Sequence, residues 1–180
     1  MFLNILKYPD PFLKTKAEPV ASVDAPVKKL IEDMIETMYK AKGIGLAATQ
    51  VGVGKRIVIL DVPLRNEDGS RAERKQGKYL TILVNPEITE ASGSMTYEEG
   101  CLSIPGIHAD VKRASAITVS ALDRDGNSIR FQADDLLAIA IQHEVDHLDG
   151  ILFIDRVSRL KREMIKRRIK KLREAEEWDL

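Results

Sequence analysis

One cysteine, Cys101, is all the thiol in this chain of 180 residues. An intramolecular disulfide is therefore excluded, and with it the stapled framework of small secreted domains, so a reducing compartment is expected. Charge excess is missing as well, because 28 Lys and Arg face 28 Asp and Glu. A neutral sum argues against a dedicated nucleic-acid binder, and no DNA partner is expected. No apolar run approaches the roughly 20 residues that span a bilayer. The opening "MFLNILKYPDPFLK" meets Pro9 and Pro11 before any long apolar segment develops, so neither a signal peptide nor a transit peptide is expected. A cytoplasmic protein without a membrane partner is the expectation. The composition is that of a globular protein, 44% hydrophobic and 31% charged. Its length suits one domain, residues 1–180, with a core of its own.

Histidine is scarce too, three in all. Two of them sit in "QHEVDHLDG" (142–150), four positions apart with a glutamate between. On a helix that spacing leaves His143 and His147 on one face, roughly 6 Å apart along the axis. Both imidazoles can then reach a single ion, which is the mechanical content of H-E-x-x-H. At this chain's His and Glu content the pattern would arise by accident roughly 0.004 times.

The pattern of the remaining chain predicts an α+β domain, with short antiparallel strands packed around a buried H-E-x-x-H helix. A first helix is expected over about 25–42, capped by Asp24 and ended by Gly43. Its apolar stripe is Val27, Leu30, Ile31, Met34, Ile35 and Met38. "RIVILDV" (56–62) and "YLTILVNP" (79–86) read as strands, the second terminated by Pro86. The polar stretch 63–78 between them reads as a surface loop. "AITVSALDRDGNSIRFQ" (116–132) reads as a hairpin turned by Asp125-Gly126. The helix from about Asp134 to Leu148 is apolar almost all round, so it should be buried with its histidines. A basic helix follows at about 158–176, with Leu160, Met164, Ile165, Ile169 and Leu172 as its apolar stripe, before "EAEEWDL" turns acidic. It reads as a solvated helix packing one stripe on the body, or as a basic arm that touches RNA.

Two histidines do not complete a catalytic metal site, which needs a third protein ligand and an open position. Glu163 and Glu174 lie downstream, where peptidases with this motif often place a carboxylate. Upstream, "EEGCLSIPG" (98–106) offers Cys101 in a stretch made irregular by Gly100 and Pro105. A Cys-His-His set suits a borderline-soft ion such as Zn or Fe(II), although a lone cysteine is commonly a small buried hydrophobe. "KGIGLAATQVG" (42–52) matches a dinucleotide-binding fingerprint in form only, since its glycines follow a helix instead of a strand. They point instead to backbone pressed close to another group, with Gln50 as a neutral amide donor. Leu136, Ile139 and Ala140 precede His143 by seven, four and three residues, which puts them on the histidine face as pocket candidates.

"GIGLAATQ", "EEGCLSIPG" and "QHEVDHLDG", in that order, resemble the three signature motifs of peptide deformylases. "YPDPFL" and the "SALDRDGN" hairpin extend the resemblance over roughly residues 4–155. It implies metal ligands at Cys101, His143 and His147, with water in the fourth position. It implies Glu144 as general base and acid, and the Gln50 amide and Leu102 N–H as oxyanion donors. Ile44, Gly45 and Tyr97 would join Leu136, Ile139 and Ala140 in binding substrate. Arg113 would bind substrate too, here preceded by Lys112 where relatives often carry proline. The implied substrates are N-formylmethionyl nascent peptides, which lose formate, and the basic C-terminal helix could contact the ribosome. The resemblance implies Fe2+ as the physiological ion, with Zn2+, Ni2+ or Co2+ able to occupy the site, although the Irving–Williams order favours zinc over iron. The rival readings are a zincin-type metallopeptidase and a structural-metal RNA-binding module.

Overall fold

The computed structural model describes residues 1–66, 68–175 and 178. The chain folds as helix α1 (Ala25–Lys40), strands β1 (Gly45–Ala47), β2 (Ile57–Asp61), β3 (Leu80–Ser92), β4 (Met95–Cys101), β5 (Ile104–Arg113), β6 (Ala116–Leu122) and β7 (Ser128–Asp134), helix α2 (Asp135–Leu148) and helix α3 (Arg159–Glu174). Five strands form an antiparallel sheet in the order β1-β2-β3-β6-β7, while β4 and β5 pair as a separate hairpin. Helices and antiparallel strands thus mix as the α+β expectation requires.

Helix α1 begins where Asp24 accepts a hydrogen bond from Val27 N at 3.0 Å, relieving one of the unpaired N–H groups of a first turn. Val27, Ile31, Met34 and Met38 are buried against β2 and the inner end of β3, with Leu30 and Ile35 half-buried at the edge. The helix closes differently from the expected glycine stop. Lys42 takes the left-handed conformation (φ 57°), and Gly43 N donates to Met38 O at 2.9 Å. Gly43 serves packing instead, since a Cβ there would stand 2.6 Å from Leu102 Cδ1.

Pro86 does not end β3. The strand shifts register between Val84 and Glu87 and runs on to Ser92. At such a bulge no ladder N–H is required of the proline. Asn85, in the left-handed region at φ 52°, uses the bulge to bind Val20 through both ends of its amide, at 2.7 and 2.9 Å. The β6–β7 turn is wider than the expected two-residue turn. Asp123 accepts from Asp125 N and Asn127 N, while Gly126 takes φ 88°. Of the 63–78 loop, Glu67 lies outside the described residues. Arg65 and Arg71 of that loop pair with Asp135 at the start of α2.

Helix α2 is buried on nearly every side, as its sequence predicts. It lies across β1 and β2 and carries His143, Glu144 and His147 inside the molecule. Gly150 follows it at φ 71°, where a Cβ would run into the Lys14 carbonyl. Helix α3 buries only Ile165 and Ile169. The expected stripe fails at two of its members, because Leu160 and Met164 are 74% and 61% exposed. Ile165 and Ile169, with the half-buried Leu172, seat this helix beside Phe153, Ile154 and the β5 face. Residue 176, the expected helix end, lies outside the described residues. Trp178 is buried in the same cluster and donates its indole N–H to Tyr8 O at 2.9 Å.

Candidate active site

Three segments distant in sequence meet beside α2. Cys101 ends β4, and its Sγ lies 3.2 Å from His147 Nε2. The ligand atoms of Cys101, His143 and His147 all lie within 4.8 Å of one another. Ligands sharing one tetrahedral ion stand about 3.3–3.6 Å apart, so the donor set fits a single divalent ion. The Cys101 segment is more regular than its sequence implies. β4 and β5 pair up to Cys101 and Ile104, with a register shift between Glu99 and Cys101 and a two-residue turn at Leu102–Ser103.

The surroundings orient His143, whereas His147 Nδ1 is buried with no hydrogen-bond partner among the described residues. His143 Nδ1 sits 2.8 Å from Glu99 Oε2. A carboxylate can only accept here, so Nδ1 donates and Nε2 is left for the ion. The ring also stacks on Phe153, with centroids 6.2 Å apart. Burial works against a charged His143, but its bonds with Cys101 and Glu99 outweigh that and hold its pKa well above the ordinary value. Burial, the neighbouring His143 and Arg113 hold His147 well below it, in the neutral form that ligates metals. The two imidazoles are thus pushed in opposite directions, His143 toward its charged form and His147 toward its neutral one.

Glu144 is buried, and its Oε2 has no hydrogen-bond partner among the described residues. Burial pushes this carboxyl up to about 7; His143 and Arg113 oppose the shift, and the Glu99 and Asp146 carboxylates add to it. An unpartnered buried carboxylate next to a cation site is costly unless it has a proton to handle. Gln50 is 1% exposed. Its Oε1 accepts from Ala47 N at 2.9 Å, while its Nε2 donates to Ser103 Oγ at 3.1 Å and approaches Cys101 Sγ at 3.5 Å. The amide is therefore fixed with its N–H groups toward the cysteine.

A cavity of about 550 Å³ opens over these groups. Its lining includes Ile44, Gly45, Gln50, Tyr97, Leu102, Leu136, Ile139, Ala140, His143 and Glu144, every expected catalytic and substrate-binding residue except Arg113. Arg113 lies apart from this cavity. Its side chain is 2% exposed and does not face the cavity. It donates to Glu99 Oε2 at 3.0 Å and to Asp146 Oδ2 at 2.8 Å, and Asp146 is held in turn by Arg156. The β5 alternation explains this, since Ile107, Ala109, Val111 and Arg113 all face inward while Lys112 faces solvent. Arg113 therefore braces the carboxylate that orients His143.

The sequence reading missed Glu99, Ser103 and Lys7. Glu99 precedes Cys101 by two, but the register shift between them interrupts the strand alternation that would have marked it. Nothing local marked Ser103 or Lys7, whose partners are 53 and 95 positions away.

The polypeptide deformylase family model matches residues 2–163. The chain belongs to the peptide deformylase family. A peptide deformylase of Alkalilimnicola ehrlichii is 51% identical over 170 residues, covering 94% of this chain and 90% of the relative. The crystal structure of a peptide deformylase from Legionella pneumophila superposes with a TM-score of 0.84 at 40% identity, covering 98% of both chains. That of Ehrlichia chaffeensis peptide deformylase in complex with actinonin gives 0.83 at 39% identity, covering 94% of this chain and 96% of the other. Peptide deformylases are metal-dependent, and Cys101, His143 and His147 are the group of described residues able to hold an ion. No described helix is long and apolar enough to cross a membrane.

Proposed function

We propose that Cys101, His143 and His147 hold one divalent cation, and that Glu144, Gln50 and the Leu102 N–H carry out the family's hydrolysis around it. That hydrolysis removes the N-formyl group from the methionine that begins a nascent polypeptide and releases formate. The observation that carries the residue assignment is the convergence of three ligand atoms beside the unpartnered Glu144 Oε2.

Cys101, His143 and His147 would hold the cation, which would supply Lewis acidity to lower the pKa of water toward neutrality. Glu144 accepts the proton that water gives up on attacking the formyl carbon and returns it to the departing amine. Negative charge then develops on the formyl oxygen. The Gln50 amide and the Leu102 N–H receive it as donors fixed in advance, each worth about 3 kcal/mol. The methionine side chain lies along the α2 face, bounded by Ile44, Gly45, Tyr97, Leu136, Ile139 and Ala140. Ala140 leaves room for an unbranched chain.

Fe2+ is the native ion in this reading, with Zn2+, Ni2+ or Co2+ as substitutes. Residues 1–180 act as one catalytic domain in the cytoplasm. Helix α3, basic and with Leu160 and Met164 outward, is offered as the surface for ribosome contact. The zincin alternative is not favoured: its downstream ligand would be Glu163 or Glu174, which instead pair with Lys166 and Lys170 on the exposed face of α3. The structural-metal alternative needs a fourth protein ligand, and the described residues bring three together. The test is formate release from formyl-Met-Ala-Ser by anaerobically purified protein, with metal analysis alongside. Equal turnover by fully metal-free protein would overturn the assignment.

A further inference from the structure

Residues 6–8 run between two parts of the site that no strand ladder joins. Gln50 follows β1 at the edge of the five-stranded sheet, whereas Leu102–Ser103 is the turn of the separate β4–β5 hairpin. Leu6 N donates to Gln50 O and Tyr8 N donates to Ser103 O, each at 2.8 Å. Between them the Lys7 ammonium lines the cavity and donates to Leu102 O at 3.2 Å. Three consecutive residues thus grip the carbonyl of Gln50, the carbonyl of Leu102 and that of its neighbour. The segment is itself pinned from behind, because Tyr8 O accepts from the buried Trp178 indole.

We propose that Lys7 is a positioning residue for the oxyanion donors, fixing the Leu102 residue of the hairpin turn at a set distance from the Gln50 amide. The inference rests on the assignment of Gln50 and Leu102 as those donors. Preorganised donors are effective because they need not reorient as charge develops, and misplacement by about 1 Å can cost roughly a hundredfold in rate. A two-residue turn has few ladder bonds to hold it. A charge-assisted bond to its carbonyl holds it more firmly than a neutral one would. The ammonium also adds positive potential to the cavity that Lys7 lines.

The test compares Lys7→Met, Lys7→Arg and Gln50→Ala with the parent, using metal-loaded protein and formyl-Met-Ala-Ser. Lys7→Met keeps the apolar stem and removes the donor. It is expected to lower kcat roughly tenfold to a hundredfold, with KM, metal content and melting temperature near parental values. Lys7→Arg should recover most of the loss, since guanidinium also reaches and donates. Parental kcat in Lys7→Met, or a loss confined to KM or to metal content, overturns the role of Lys7. If Gln50→Ala lowers kcat while Lys7→Met does not, the donor assignment stands and only the Lys7 inference falls. If Gln50→Ala leaves kcat unchanged, the donor assignment falls and takes this inference with it.

Discussion

Gly45 stands directly against the carboxylate of Glu144. A Cβ at position 45 would lie 3.0 Å from Glu144 Cδ, 3.1 Å from its Cγ and closer still to Oε1. The glycine of β1 thereby fixes where the unpartnered carboxylate can sit, from a strand paired through Leu60 to the sheet. Gly45→Ala should therefore displace Glu144 and lower kcat by about tenfold or more, the scale of a misplaced catalytic group, while metal content stays normal. Parental kcat in this variant would show that the carboxylate has slack.

Glu144→Ala should keep its metal, because all three ligands remain, and should lose roughly 10²–10⁴-fold in kcat with the loss of proton transfer. Metal analysis beside steady-state kinetics checks this. A metal-free product would make Glu144 a ligand or a prop instead.

Cys101→Ser should lose metal and activity together, since a hydroxyl is a harder and far less acidic ligand than a thiol. The Glu144→Ala variant is its counterpart, retaining ion without turnover. Full occupancy with normal turnover in Cys101→Ser would remove the cysteine from the ligand set.

Ala140→Leu should fill the cavity wall next to His143 and raise KM for formyl-methionyl peptides with metal content unchanged. Changes of one or two methylenes in such a pocket are worth about 1–3 kcal/mol, or tenfold to a few hundredfold. An unfolded product, or unchanged methionine preference, would assign Ala140 to the core.

Arg113→Met should act on stability. It removes a buried guanidinium from Glu99 and Asp146, which keep only His143 and Arg156 as side-chain partners, and breaking such a buried pair from one side costs about 3–5 kcal/mol. For a chain of this size that lowers the melting temperature by roughly 6–20 °C, with KM near the parental value in the folded fraction. A raised KM at parental stability would return Arg113 to substrate binding.

The shared face of His143 and His147 on α2, and the residues that flank it, were legible in the sequence because helical spacing is a local rule. Positions three, four and seven apart share a face wherever the helix lies, so His143, His147, Leu136, Ile139 and Ala140 could be placed on one face before the fold was known. The burial of α2 followed from its nearly continuous apolar surface. Three motifs in order were enough to name the family, though not to show how their backbones meet. What tertiary structure alone decided lies between segments. That Glu99 braces His143, that Arg113 turns inward to hold Glu99, that Asn85 at a bulge lets β3 pass Pro86, and that Lys7 reaches Leu102 all depend on pairings across tens of residues. A side chain's local spacing states which way it faces along its own element. Only the packing of one element on another decides which partner it finds there, because desolvated charges and donors are stable only where that partner is supplied.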